Sequence, residues 1–148
     1  MKTLRLALLT LLCLSSAALA RIGETQDECI RRYGEPVQRD ADKTLSFRKS
    51  GIAVTCTFLE GRCVHIRYQK LDPDARLNGR EVDILRAANG THWKLQGGNT
   101  SSYSTMRNET CECRWDYSTG VLEFETLTEV NRKKQDTITA EKKLLEGF

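Results

Sequence analysis

The sequence predicts an α+β domain built from two helix-plus-antiparallel-sheet units in tandem and a C-terminal helix. Three observations carry this. Alternating apolar and polar residues recur at 43–48, 52–59, 62–69, 111–117 and 121–127. Helix start and stop signals bracket 25–33 and 79–88. Two hairpin turns, Glu60-Gly61 and Ser118-Thr119-Gly120, each end on glycine.

The first helix begins at Thr25. Its hydroxyl caps the helix, and Glu28 three residues on completes a capping box. Asp27 and Glu28 suit the positive end of the helix dipole. Gly34 stops the helix after Tyr33, and Pro36 keeps it stopped. Cys29, Ile30 and Tyr33 can share one face.

Three strands follow. Leu45 and Phe47 alternate in 43–48. Residues 52–59 and 62–69 form a hairpin, with Ile52, Val54, Cys56 and Phe58 on one face and Val64, Ile66 and Tyr68 on the matching face. Matching these faces requires opposed residue numbers with an even sum, such as 56 with 64. That predicts a three-residue loop with a left-handed Gly61 in a bulge. Cys63, His65, Thr55, Thr57 and Arg67 then point to the open face.

Asp72-Pro73-Asp74 connects to a second helix over 79–88, with Val82, Leu85 and Ile84 as inward candidates and Asn89-Gly90 as its end. A short strand over 93–95 precedes a polar stretch, 96–110, that reads as an exposed loop. Tyr103 is its candidate contact residue. The second hairpin, 111–117 with 121–127, places Cys113, Trp115 and Tyr117 on one face and Leu122, Phe124 and Thr126 on the other strand's matching face. A helix over 136–145 closes the chain. The pseudo-repeats are about 22–69 and 79–127, each read as a helix and three strands whose sheets can merge.

Residues 1–20 read as a secretory signal peptide. Lys2 and Arg5 are followed by an apolar run over 6–14 and by Ala18-Leu19-Ala20, with cleavage expected after Ala20. The run is too short to span a membrane. The domain is therefore 21–148, secreted or periplasmic, with no transmembrane segment after cleavage. Cleavage removes two of the 23 basic residues and none of the 20 acidic ones, leaving a net charge of +1. Such a balance argues against nucleic acid as a partner.

The stretches Ile22-Gly23-Glu24-Thr25, Arg32-Tyr33-Gly34-Glu35-Pro36 and Gly51 to Arg62 resemble the repeat unit of proteins with the beta-lactamase-inhibitor-protein-like fold. That unit is shared with the small lipoprotein family of the outer-membrane barrel-assembly machine and with short secreted bacterial proteins of unknown function. The resemblance covers about 22–69 by motif and 79–127 by element order. It implies a fold and a protein-binding habit. The lipoprotein cysteine is missing here.

Cys29, Cys56, Cys63, Cys111 and Cys113 are disulfide candidates in an oxidising compartment, with one left over and able to link two copies. Cys56 is the natural partner of Cys29, and Cys63 is the alternative. Cys111 and Cys113, two apart on one strand, do not readily bridge each other. A rival reading makes Cys63, His65, Cys111 and Cys113 a zinc or copper(I) site. A third is a small secreted hydrolase with a cleft at His65 or His92 and a nearby nucleophile. Cys63 and His65 share the expected open face, but their spacing seldom brings a thiol onto an imidazole. Glu123 with Glu125, and Asp72 with Asp74, read as surface carboxylates. Trp93 and Trp115 read as core. Asn89, Asn99 and Asn108 begin glycosylation acceptor triplets in form. No Gly-x-Ser-x-Gly, phosphate-loop or dinucleotide signature occurs. The expected function is non-catalytic binding of another protein or an envelope component, without a cofactor. Its surface candidates are Thr55, Thr57, His65, Arg67 and Tyr103.

Overall fold

In a computed structural model, residues 21–41, 43–96 and 102–146 are described. The expected signal peptide, with Cys13, lies outside them, as do residues 97–101 of the 96–110 stretch, Asn99 included. The chain runs α1 (Gln26–Tyr33), β1 (Gln38–Asp40), β2 (Thr44–Lys49), β3 (Ile52–Leu59), β4 (Arg62–Lys70), α2 (Gly79–Ala88), β5 (Lys94–Leu95), β6 (Tyr103–Arg107), β7 (Cys111–Asp116), β8 (Val121–Thr126) and α3 (Leu127–Leu145). The strands make one antiparallel sheet ordered β1-β2-β3-β4-β8-β7-β6-β5. The fold is α+β with a C-terminal helix.

Four strands follow each of α1 and α2, where three were expected. The first extra strand, β1, is wholly exposed and polar, so it has no alternation to read. The second, β6, lies in the stretch expected to be a loop. Its Ser104 is buried and its Met106 packs on the core.

Local signals set both N-terminal helices. The Thr25 side chain accepts from the Glu28 amide while the Glu28 carboxylate accepts from the Thr25 amide. Asn78 and Glu81 repeat this device at α2. Cys29 and Tyr33 from α1, and Val82 and Leu85 from α2, join one core with Leu45, Phe47, Val54, Cys56, Ile66, Tyr68, Leu122 and Phe124. Both helices therefore cover the same face of the sheet. Burying a side chain such as Phe124 fully contributes about 1.5–3 kcal/mol. Ile84, an inward candidate, is exposed.

The hairpin β3–β4 departs from the expected three-residue loop. Leu59 opposes Arg62, so Glu60 and Gly61 alone make the turn. Both have positive φ, 51° and 75°, as a type I′ turn requires. An odd register sum follows at the turn. A bulge then corrects it: Phe58 pairs with Cys63, Thr57 pairs with His65, and Val64 is the extra residue. Cys63 consequently faces the core rather than the open face. Val64, expected inward, is only half-buried.

The second hairpin has a four-residue connection, 117–120, since Asp116 opposes Val121. Asp116 Oδ1 accepts from the Ser118 and Thr119 amides and the Ser118 hydroxyl, an Asx turn that leaves Tyr117 exposed. Gly120 has φ 69°, and a Cβ there would lie 2.9 Å from the Arg76 Cα, so only glycine fits.

The helix α3 begins nine residues before the expected 136. Thr126 caps it by accepting from the Glu129 amide. Thr126-x-x-Glu129 is itself a helix-start signature. Val130 and Glu129 are buried, whereas 131–146 are exposed throughout. Among the described residues, no helix is long and apolar enough to cross a membrane.

Candidate functional site

The face of the sheet away from α1 and α2 carries two rows of cross-strand neighbours. One runs Ser46, Thr55, Arg67, Glu123, Arg114, Thr105 across six strands. The other runs Asp40, Thr44, Thr57, His65, Glu125, Glu112, Arg107, Lys94 across all eight. Period-two alternation produces this: in β2, β3, β4, β7 and β8 the row residues alternate with residues that face the core. No apolar side chain interrupts either row.

Pairing orders the charges. Arg67 Nη1 donates to Glu123 Oε1 at 3.0 Å. Glu123 also opposes Arg114, whose guanidinium lies 4.5 Å over the Tyr103 ring. Arg107 pairs with Glu112, and Lys133 from α3 pairs with Glu125. Opposite charges facing each other across strands stabilise the sheet by roughly 0.2–1 kcal/mol a pair. Glu112 and Glu125 are the exception, like charges directly opposed, held by Arg107 on one side and Lys133 on the other.

His65, Glu112, Arg114, Glu123, Glu125 and Lys133 line a cleft of about 330 Å³, with the first turns of α3 as its wall. His65 Nε2 lies 3.9 Å from Glu123 Oε1. Burial lowers the His65 pKa from its ordinary value, Glu123 and Glu125 oppose that shift, and Lys133 and Arg67 reinforce it. Glu129, at the base of α3, is held ionised by the hydrogen bond from Arg132. Among the described residues that line the cleft there is no hydroxyl or thiol side chain. Its chemistry is that of fixed carboxylates, two cations and one proton-accepting imidazole.

Thr55, Thr57, His65 and Arg67 stand on this face as the alternation indicated, and Tyr103 joins them from β6. Glu112, Glu125 and Lys133 went unread as site residues, since only the β4–β8 junction brings them beside His65. A second cleft, of about 370 Å³, is lined by His92, Lys94, Gln96, Arg107, Asn108 and Glu109, with no hydroxyl or thiol among these described residues.

The set Cys63, His65, Cys111 and Cys113 does not assemble. Cys63 is buried on the core side, and its thiol donates to the His65 backbone oxygen at 3.5 Å rather than to the ring. Cys111 contacts the Asn89 carbonyl and Asn108, and Cys113 contacts Arg86. Among the described residues, no group of three or more His, Cys, Asp or Glu is arranged to hold a metal ion. All five described cysteines are buried free thiols. Trp93 and Trp115 pack against the core, as expected. Asn89 is buried and hydrogen-bonded, so its glycosylation triplet is closed to modification in the fold.

Comparison with family models, with curated proteins and with solved structures gives no match to this chain.

Proposed function

We propose that this chain is a non-catalytic binding module of the secreted or periplasmic space, taking another protein or an envelope component onto the open face of its sheet. One observation carries this reading: two uninterrupted polar rows cross the sheet on the face that neither α1 nor α2 covers. Paired guanidinium and carboxylate groups such as Arg67 and Glu123 are already held in place, so contact costs less side-chain entropy. Fixed charges of both signs steer encounter and set register more than they add raw affinity. The resemblance of residues 22–69 to a repeat unit found in protein-binding folds supports the same reading, as does the N-terminal stretch that reads as an export signal.

The test is site-specific photo-crosslinking in the compartment where the protein accumulates. A photoreactive residue replaces Thr55, or Asp74 in the connector as control. The expected result is a discrete adduct from position 55, lost when Arg67→Glu and Arg114→Glu are added, and none from position 74. Adducts from position 74 alone, or from neither, overturn the proposal.

A further inference from the structure

Three buried thiols meet on the covered face. Cys29 comes from α1, Cys56 from β3 and Cys63 from β4, and the three thiols lie beside one another in the buried core cluster. None has measurable exposure. The two-residue turn sets Cys63 opposite core-facing Phe58, and the bulge at Val64 then keeps Ile66 and Tyr68 on that same face. Two backbone bonds then seat the start of α1 beside β4: the Gly23 amide donates to the Cys63 carbonyl at 2.7 Å, and the Cys63 amide to the Glu24 carbonyl at 2.8 Å.

We propose that this trio is an oxidisable site in which a single disulfide ties Cys29 to a strand cysteine, with the third thiol held ready to exchange. Geometry makes Cys29 the obligatory member. Cys56 opposes Ile66 while Cys63 opposes Phe58, so the two strand cysteines are diagonal neighbours. Diagonal positions in an antiparallel pair lie roughly 7–8 Å apart. A disulfide holds its Cα atoms about 4.4–6.8 Å apart. Cys29 approaches from the helix above both strands and reaches either.

The oxidant is a disulfide of the glutathione class. The Cys29 thiolate attacks one of its sulfurs, forming a mixed disulfide and releasing one thiolate. The Cys56 or Cys63 thiolate then displaces the second half. Two protein thiols lose two protons and two electrons, and one oxidant disulfide becomes two thiols. Exchange of the bond between Cys56 and Cys63 afterwards needs no further electrons. Because the sulfurs are sealed in the fold, the bond closes as α1 docks, and α1 then shields it from reductant. This site lies on the opposite face from the polar rows and stands independently of the binding reading.

The experiment refolds the full chain in a reduced and oxidised glutathione mixture. Remaining thiols are alkylated under denaturant and the linked peptides are mapped by mass. The expected product is a single link joining Cys29 to Cys56 or Cys63, absent from Cys29→Ser and retained in both Cys56→Ser and Cys63→Ser. Its urea midpoint is higher than that of the reduced protein, and its alkylation without denaturant is slow. A link between Cys56 and Cys63, a link to Cys111 or Cys113, no link at all, or a lower midpoint in the linked form overturns the proposal. Urea midpoints of the reduced Ser variants separate loss of the link from loss of the fold.

Discussion

Phe58 sits opposite Cys63, one residue out of step with the Thr57–His65 pair beside it. That single offset decides which face β4 presents from His65 onward. Before it, a two-residue turn would leave Ile66 and Tyr68 facing solvent. With it, His65 and Arg67 reach the open face, while Cys63, already opposite Phe58, stays in the helix-covered core.

Deleting Val64 is therefore tolerated, and deleting Arg67 is not. Without Val64, Phe58 still opposes Cys63 and Thr57 still opposes His65, so the alternation simply becomes regular. Without Arg67, either Ile66 or Tyr68 is forced onto the polar face. The expected outcome is a cooperative urea transition for the Val64 deletion and none for the Arg67 deletion, followed by tryptophan fluorescence. Loss of the transition in the Val64 deletion would mean that the bulge is required for folding.

Asn89 links parts of the core that are distant in sequence. Its amide donates to the Leu85 carbonyl at 2.9 Å and to the Tyr68 hydroxyl at 3.4 Å, and its Oδ1 accepts from the Ile22 amide at 3.3 Å. Asn89→Ala removes partners from buried groups, which costs roughly 1–3 kcal/mol. Urea denaturation should show a lower midpoint with an unchanged slope. Asn89→Asp restores Oδ1 but not the donor, and recovers only part of the loss.

Local devices were legible in the sequence, and long-range register was not. Thr25, Glu28 and Gly34 bound α1 because capping is settled within a few residues. The outward positions of Thr55, Thr57 and Arg67 followed from alternation alone. The bulge at Val64 has no glycine or proline to mark it; the demand for buried Ile66 and Tyr68 after a tight turn creates it. Glu123 and Glu125 read correctly as strand surface. What stays hidden in a one-dimensional pattern is that β8 lies against β4, some 55 residues away, and so brings those carboxylates to His65. The early start of α3 was missed although Thr126 and Glu129 signal it, because the strand alternation through Thr126 claimed the same residues.

His65 makes stability fall with mild acid. Burial lowers its pKa below the ordinary 6.5. The unfolded chain then takes up the proton first. Stability is complete near neutral pH, declines as pH drops through 6.5, and stops declining once the folded His65 itself titrates. His65→Gln should flatten the change in urea midpoint between pH 7.5 and 5.5. Proton NMR of the imidazole should place its titration below 6.5. Glu123→Gln should move it lower, because a favourable neighbouring charge is lost, and Lys133→Met should move it higher. A wild-type midpoint independent of pH in this range would sink the assignment.

The outer part of α3 adds length without burial. Residues 131–146 are all exposed, with Ile138, Leu144 and Leu145 facing solvent. Their helix is sustained by local pairs such as Arg132 with Asp136 at 2.7 Å, and exposed pairs of this kind contribute little. A chain ending at Gln135 should keep its unfolding free energy, from urea titration, to within about 0.5 kcal/mol. A chain ending at Thr126 loses buried Val130 and the Lys133–Glu125 pair that walls the His65 cleft. That shorter chain should lose about 1–3 kcal/mol and shift the His65 titration upward, because Lys133 no longer opposes protonation. Equal midpoints for the two truncations would show that the first turns of α3 do not anchor to the sheet.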